Sequence, residues 1–238
     1  MRKILLATAA VLAIGVASQA QAAPELSARI FQDGIIGSSL TQTSANGYLY
    51  VTGSTSNFHI VTANAYGFPV VPQPALDVQT ASISSMGNFN APHTITFEIT
   101  QTGLTSSTAG SPLASLISTF TTNNLINGAL ISSVTLSNYV DANNNAFGTS
   151  QLLASRTYTD GVTHSSGPIL GNATLPNTLF SETVVISATF TGAFAALNAS
   201  SQITAVPVPE PASIALFGAG LLGMGLAYRR REQAKPTA

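Results

Sequence analysis

Residues 93–100 read HTITFEIT, and the alternation of their side chains decides the fold class of the chain. Ile95, Phe97 and Ile99 share one parity, and polar residues occupy the other. This period of two is that of a half-buried strand, because successive side chains of a strand point to opposite faces. Residues 178–190 repeat the pattern, so both segments are predicted to be strands with one face in a core.

Seven further stretches predict strands from their composition and alternation, at 28–32, 47–52, 58–65, 78–84, 115–121, 130–139 and 151–159. Turn dipeptides occur at 33–34, 46–47, 127–128 and 160–161, and the prolines at 69, 72 and 74 predict a loop. The sequence therefore predicts an all-β fold, an antiparallel β-sandwich of the jelly-roll-like kind. A β-solenoid would need a recurring period of about 20–30 residues, which is lacking here.

The first 22 residues have the three parts of a secretory signal peptide. Two basic residues follow the initiating methionine, residues 4–16 are apolar, and Ala20 and Ala22 form the small-x-small site of signal peptidase. We predict cleavage after Ala22, which leaves Ala23 as the new N-terminus and requires the Sec machinery. The alternative is an N-terminal membrane anchor, for which the apolar run is short.

The C-terminal segment 206–238 combines prolines, an apolar run and a basic cluster. Alternate prolines from position 207 to 211 favour an extended, accessible backbone. Residues 212–228 carry no formal charge and are 17 in number, near the lower limit for a helix that spans a bilayer. The cluster Arg229, Arg230 and Arg231 would hold its cytoplasmic end. An ordinary tail anchor is the alternative interpretation.

The run Pro209-Glu210-Pro211-Ala212-Ser213, followed by the apolar segment and the three arginines, resembles the PEP-CTERM sorting signal of Gram-negative bacteria. The resemblance implies that exosortase, a membrane-embedded processing enzyme, recognises the Pro-Glu-Pro region and removes the helix. It also implies export, a transient stay in the inner membrane, and an association with exopolysaccharide or biofilm matrix. The predicted organisation is thus a signal peptide (1–22), a β-sandwich (23–205) and a sorting signal (206–238).

The body of the chain is acidic and has no cysteine. Between residues 23 and 206, two bases (Arg29 and Arg156) face seven acids: Glu25, Asp33, Asp77, Glu98, Asp141, Asp160 and Glu182. Nucleic-acid binding needs clustered positive charge, so it is disfavoured. The absence of cysteine excludes disulfides and thiolate chemistry.

No residue pattern in the body signals a catalytic or metal site. His59, His93 and His164 lack the spacing of a helical zinc site and are predicted to be surface or hydrogen-bonded histidines. Glu98 and Glu182 could form a carboxylate pair for glycoside hydrolysis. Glu182 falls on the apolar parity of its strand, which suggests a position near a sheet edge.

Two other patterns leave alternatives open. The run Asp141-Ala142-Asn143-Asn144-Asn145 begins like a calcium loop but lacks its later ligands, so an Asx turn is favoured over a weak surface calcium site. A set of aromatic residues could stack on sugars or serve only as sheet packing: Tyr48, Tyr50, Phe58 and Tyr66.

We therefore expect a non-enzymatic exported protein of the cell surface or extracellular matrix, with no cofactor and no catalytic residue. A carbohydrate-binding module for exopolysaccharide is the first alternative, and a polysaccharide hydrolase is the second.

Overall fold

A computed structural model describes residues 23–110, 112–175, 178–206 and 217–221. These residues form strands joined by short turns, and residues 217–221 are helical. The strands are β1 (Glu25–Gln32), β2 (Leu40–Ser44), β3 (Tyr48–Ser54), β4 (Phe58–Tyr66), β5 (Ala75–Ser85), β6 (His93–Thr105), β7 (Leu113–Ile126), β8 (Ile131–Asp141), β9 (Gln151–Tyr158), β10 (His164–Ser165), β11 (Ile169–Thr174), β12 (Leu179–Phe190) and β13 (Ala196–Ala205).

The strands make two sheets that pack face to face. Sheet A has the order β2-β1-β6-β12-β8-β9, and sheet B has the order β10-β7-β13-β5-β4-β3, with β11 also pairing with β7. Every pairing is antiparallel. From β5 to β8 the chain changes sheet at each step, and β12 and β13 also lie in different sheets. This connectivity makes the fold an antiparallel β-sandwich of the jelly-roll-like kind.

The core lies between the sheets and is built around five phenylalanines that are at most 1% exposed: Phe58, Phe97, Phe120, Phe180 and Phe190. The ring of Phe58 from sheet B meets that of Phe190 from sheet A edge-on, with centroids 5.1 Å apart. Burying each such ring stabilises the fold by about 1.5–3 kcal/mol. Because the chain has no disulfide, this apolar contact between sheets is the main link that holds them together.

The strand predictions are confirmed for nine segments, which correspond to β1, β3–β9 and β12. The sequence did not reveal β2, β10, β11 or β13. The last of these lies in the middle of sheet B. Its buried inward side chains are Leu197, Ala199, Ser201 and Ile203, so two small residues separate the large apolar ones and weaken the alternation. The suggested edge position of Glu182 is wrong, because β12 lies between β6 and β8 and the side chain points into the core.

The two ends of the sandwich carry different parts of the chain, and both chain termini of the domain lie at the same end. At one end, Glu25 pairs with Thr102 at the start of β1, and the N–H of Val206 donates to the Ser115 carbonyl at 3.0 Å just after β13. We call this end the terminal pole; it also carries the loops 45–47, 67–74 and 142–150. The opposite end, the distal pole, carries the loops 33–39, 55–57, 86–92, 127–130, 159–163 and 191–195.

Most of the two terminal signals lies outside the described residues. This holds for the signal peptide, for the predicted recognition residues Pro209, Glu210, Pro211, Ala212 and Ser213, and for Arg229, Arg230 and Arg231. Of the predicted span 212–228, residues 217–221 are described and are helical. The part of the chain that the structure describes contains no helix with the length and apolar character needed to cross a bilayer. Ala23, the predicted first residue after cleavage, is exposed.

Candidate functional site

Three tyrosines lie together on the outer face of sheet B, where β3 pairs with β4. Tyr48 and Tyr50 alternate with buried residues of β3 and are 42% and 45% exposed. Tyr66 of β4 pairs directly with Tyr48, and their rings lie 5.2 Å apart at 38°. The three tyrosines therefore form an aromatic cluster at the edge of the sheet, with the Tyr48 and Tyr66 rings tilted against each other.

Polar side chains adjoin these rings. Asn64 pairs with Tyr50, and its side-chain oxygen lies 3.5 Å from the Tyr48 hydroxyl that donates to it. Asp77 of β5 pairs with Tyr66, and burial raises the pKa of its carboxyl above the ordinary value. We call Tyr48, Tyr50, Asn64, Tyr66 and Asp77 the tyrosine face. Aromatic rings beside an amide and a carboxyl can stack on sugar rings and bind their hydroxyls.

Phe58 does not belong to this surface. Its side chain is fully buried, and it packs edge-on against Phe89 and Phe190 in the core. For Phe58, the alternative of packing alone is therefore the one that the structure contains. Positions 58 and 66 have the same parity, but the register of β4 shifts between Ile60 and Ala63, so the side chains before this irregularity and those after it turn opposite parities inward.

A cavity of about 320 Å³ opens at the distal pole. It is lined by Gln32, Ile35, Ser38, Ser54, Thr55 and Ser56. The Gln32 amide organises its wall: its Nε2 donates to Asn57 Oδ1 at 2.8 Å, and its Oε1 accepts from Thr55 Oγ1 at 2.8 Å. The wall is thus mostly hydroxyl-bearing, with one exposed aliphatic side chain, Ile35, on its rim.

All three histidines are hydrogen-bonded, as the sequence predicted. His93 Nδ1 lies 2.8 Å from Asp33 Oδ2, His164 Nε2 lies 2.6 Å from Asp160 Oδ1, and His59 Nδ1 lies 2.9 Å from the hydroxyl of Ser54. These are three separate pairs. Within the described ranges, no group of three or more histidine and acidic side chains is arranged to hold a metal ion.

Asp33 is the most connected acid of the distal pole. Burial by itself would raise the pKa of Asp33, but the Thr94 N–H, the Gln32 amide and His93 bind its carboxylate. Together these contacts outweigh burial and hold the pKa below its ordinary value. The cluster therefore fixes the start of β6 against the end of β1 rather than presenting a free acid.

Glu98 and Glu182 lie on opposite faces of sheet A. The side chain of Glu98 is on the outer face and forms an ion pair with Arg29, whose guanidinium stacks over the Phe147 ring at 4.3 Å. Glu182 is on the inner face and is fully buried. The two carboxyls therefore cannot converge on one glycosidic bond, a geometry that both hydrolytic mechanisms require.

Glu182 is the most unusual acid in the chain. Neither of its carboxyl oxygens has a hydrogen-bond partner among the described residues, and burial raises its pKa to about 8. Gln101 pairs with it across β6 and β12, is equally buried, and has an unpartnered side-chain oxygen. This acid next to an amide lies inside the terminal pole, under the loop that begins at Gly67.

Asp141 closes the loop 142–150. Its carboxylate accepts hydrogen bonds from the Asn143 N–H at 2.8 Å and the Asn145 amide at 2.9 Å, with Ser150 at 3.3 Å. Burial raises the pKa of Asp141, but these hydrogen bonds outweigh that effect and hold the pKa below its ordinary value. The Asx turn favoured from the sequence is what the structure contains. The carboxylate is occupied by its own loop.

The class that this geometry defines is a β-sandwich whose exposed faces carry polar and aromatic side chains. A search of solved structures matched the chain to the CBM22-1 xylan-binding domain from Paenibacillus barcinonensis Xyn10C, at 13% identity and a TM-score of 0.29, covering 68% of this chain and 88% of that one. At that TM-score nothing about the ligand of this chain follows from the likeness. A search of curated proteins found no match.

The family comparison concerns the C-terminal end. Residues 207–231 match the model of the PEP-CTERM protein-sorting motif, as the resemblance in the sequence predicted. The chain therefore carries this sorting motif directly after its β-sandwich. The motif implies an exported protein that is sorted by exosortase.

Proposed function

We propose that this chain is a non-enzymatic protein of the cell surface or the extracellular polysaccharide matrix, delivered there by exosortase processing. The observation that carries the proposal is the position of the sorting motif. The matched segment begins at residue 207, and the preceding residue, Val206, is still hydrogen-bonded to the sheet. The folded domain thus ends directly before the sorting motif, without a linker between them.

The non-enzymatic part of the proposal is supported by how the acids are used. Glu98 is paired with Arg29, Asp141 is bound by its own loop, and Glu182 is sealed in the core. Asp33 and Asp160 each pair with a histidine. Each of these acids therefore has a structural partner or lacks access to solvent, which leaves little for substrate chemistry.

The direct test is the intact mass of the protein isolated from its native host, with and without exosortase. We expect the mature chain to begin at Ala23 in both strains. It should lack Arg229, Arg230 and Arg231 only in the strain that contains exosortase. If the arginines remain in both strains, processing is absent and the segment is a plain anchor. For the matrix location, the processed form should fractionate with the exopolysaccharide and move to the medium in a strain that lacks the polymer.

The tyrosine face favours a second candidate function, glycan binding. Tyr48 and Tyr50 are exposed, Tyr66 is half-buried beside them, and Asn64 and Asp77 adjoin the rings, an arrangement that suits a chain of sugar rings lying along the sheet edge. The fully exported protein should be retained by its own exopolysaccharide, and Tyr50→Ala should weaken retention about tenfold because stacking on one ring contributes about 1–1.5 kcal/mol.

Tyr139→Ala is the matched control for this experiment, since Tyr139 lies on β8 in the other sheet. We expect it to leave retention unchanged. Equal retention of the parent protein, Tyr50→Ala and Tyr139→Ala would remove the tyrosine face as the binding surface. No retention of any of them would remove the glycan-binding function while leaving the sorting mechanism intact.

A further inference from the structure

No linker residues separate the sandwich from the sorting motif. Val206 is held to Ser115, and the matched motif begins at the next residue. The predicted membrane segment begins at position 212, so only residues 207–211 separate the two. Proline-rich backbone extends about 3.1 Å per residue, so this connection reaches roughly 15 Å at most. The terminal pole must therefore lie close to the bilayer surface while the chain is anchored.

Apolar side chains project from the terminal pole on both sides of the exit point. Phe68 and Val70 belong to the loop between β4 and β5 and are 36% and 54% exposed. Leu113 begins β7, is 69% exposed, and lies three residues beyond Leu116, the partner of Ala205. Strand β13, which leads to the motif, lies between β5 and β7. The chain thus leaves the sandwich between two exposed apolar projections.

The loop that carries Phe68 is fastened to the sandwich. The backbone carbonyl of Phe68 accepts a hydrogen bond from the Gln101 side-chain amide at 3.2 Å. In the same loop, the Gln73 side chain accepts a hydrogen bond from the Thr105 N–H at 3.1 Å. Phe68 and Val70 are therefore presented by a supported loop, which lowers the entropy lost when they bind a surface.

The charges of the pole favour an apolar contact over an electrostatic one. Arg29 and Arg156 are the only bases between residues 23 and 206, and Arg29 is engaged by Glu98 and Phe147. Arg156 lies on β9, opposite Leu136, away from the pole. A polybasic contact with anionic lipid is excluded by this distribution, whereas insertion of apolar side chains into the interface needs no positive charge.

We propose that the terminal pole is a membrane-facing surface, and that Phe68, Val70 and Leu113 enter the interfacial region of the bilayer while the sorting segment anchors the chain. The inference rests on the proposed function, because it requires residues 212–228 to enter the membrane. The distal pole also exposes apolar side chains, such as Ile35 and Phe194, but the sandwich holds them one strand length, roughly 30 Å, farther from the bilayer.

The chain contains no tryptophan, so one substitution gives a single fluorescent reporter. We would prepare the full-length precursor as Phe68→Trp, Leu113→Trp and, as the matched control, Phe194→Trp in the exposed distal loop. Each is reconstituted into vesicles of phosphatidylethanolamine and phosphatidylglycerol that contain a brominated phosphatidylcholine. We expect roughly twofold quenching and a blue-shifted emission for the two terminal-pole reporters, unchanged by high salt, and no quenching for Phe194→Trp.

Flotation of the same vesicles separates the two ideas. If the protein floats but Phe68→Trp and Leu113→Trp behave like Phe194→Trp, the membrane-facing pole is wrong and the anchor stands. If the protein does not float, residues 212–228 do not anchor it in the membrane, and the membrane contact of the terminal pole is rejected as well. Quenching that disappears at high salt would show an electrostatic contact and overturn the apolar one. A blue shift of the two terminal-pole reporters that appears only when exosortase is added would show a contact with the enzyme instead of the bilayer. Resistance of each variant to protease confirms that its sandwich has folded. If either Phe68→Trp or Leu113→Trp does not fold, the other variant still tests the membrane contact.

Discussion

The two poles of the sandwich differ in how deeply their acidic side chains are buried. At the terminal pole, Glu182, Gln101 and Asp141 are buried, and they close the core or fasten a loop. At the distal pole, Asp33 and Asp160 form hydrogen bonds with histidines in partly exposed positions. Burial magnifies the cost of any mismatch, whereas exposure lets water replace a lost partner. Substitutions should therefore be far more damaging at the terminal pole, although both poles are built from loops.

The largest difference should come from Glu182. Its pKa is raised from 4.5 to about 8 in the folded chain, so between these values the folded state keeps a proton that the unfolded state has released. The pH-dependent contribution of Glu182 to stability is therefore most favourable below about pH 4.5 and declines as the pH rises to 8, by at most roughly 5 kcal/mol. Glu182→Gln should abolish this loss, and urea denaturation at pH 5 and pH 9 measures it.

Glu182→Leu provides a second neutral variant for this comparison. The free energy of unfolding of Glu182→Leu can differ from that of Glu182→Gln. For each variant, however, the values at pH 5 and pH 9 should agree once the titration of the other groups is subtracted. A pH dependence in both variants as steep as that of the parent would show that Glu182 is ionised in the fold, or that another group titrates.

Asp141→Ala should have the next largest effect. The variant leaves the Asn143 N–H and the Asn145 amide without their acceptor, which costs roughly 2–3 kcal/mol. Because the pKa of Asp141 is lowered in the fold, its stabilisation is present above about pH 4 and is lost as the pH falls through the folded value. Acid denaturation of the parent and the variant should therefore converge at low pH.

Asp160→Ala is the distal partner of that experiment. Its carboxylate is exposed and binds His164 at 2.6 Å, so water can replace it. We expect little change in the denaturation midpoint. A loss as large as that of Asp141→Ala would mean that the two poles do not differ in the way proposed.

A pair of glycines tests the same contrast without charge. A Cβ on Gly67 would lie 2.5 Å from the Gln101 side-chain oxygen, and Gln101 is buried beside Glu182 and cannot move away. Gly67→Ala should cost about 1–3 kcal/mol through overpacking. A Cβ on Gly37, in the distal turn, meets nothing within 4 Å, so Gly37→Ala should be neutral in thermal denaturation. Equal melting temperatures for both variants would contradict a tightly closed terminal pole.

A small effect is also expected at Asp33, although it should exceed those of Asp160→Ala and Gly37→Ala. Asp33→Ala removes hydrogen bonds to Thr94 and Gln32 and the pair with His93, but its side chain is 34% exposed. We expect a loss of at most about 1 kcal/mol in urea denaturation. A loss above that of Gly67→Ala would reverse the ranking of the poles.

The sequence predicted those parts of the fold in which large apolar residues alternate with polar ones. In β6 the buried series Ile95, Phe97 and Ile99 is sufficient, because their volume alone marks the inner face. The central strand β13 was missed because Ala199 and Ser201, which carry little hydrophobic signal, separate its two large inward residues, Leu197 and Ile203. Its burial depends on neighbours far away in sequence, which local periodicity does not report.

The candidate site shows the same limit. Tyr48, Tyr50 and Tyr66 could be selected as aromatic residues, but their adjacency depends on the register of β3 with β4. Phe58 was grouped with them because composition does not say which face a strand turns inward. Glu182 was misplaced for a related reason, since only the order β6-β12-β8 shows that it is central. The sorting motif was recognisable because it is contiguous and needs no tertiary contact.

Strand β13 has a consequence for the order of events during export. It is the last strand before the sorting motif, and it lies between β7 and β5, so without it sheet B is divided into two unconnected halves. Sheet B can therefore close only after β13, and with it nearly the whole domain, is available to pair. Completion of the sandwich is thereby tied to the part of the chain that comes directly before the sorting motif.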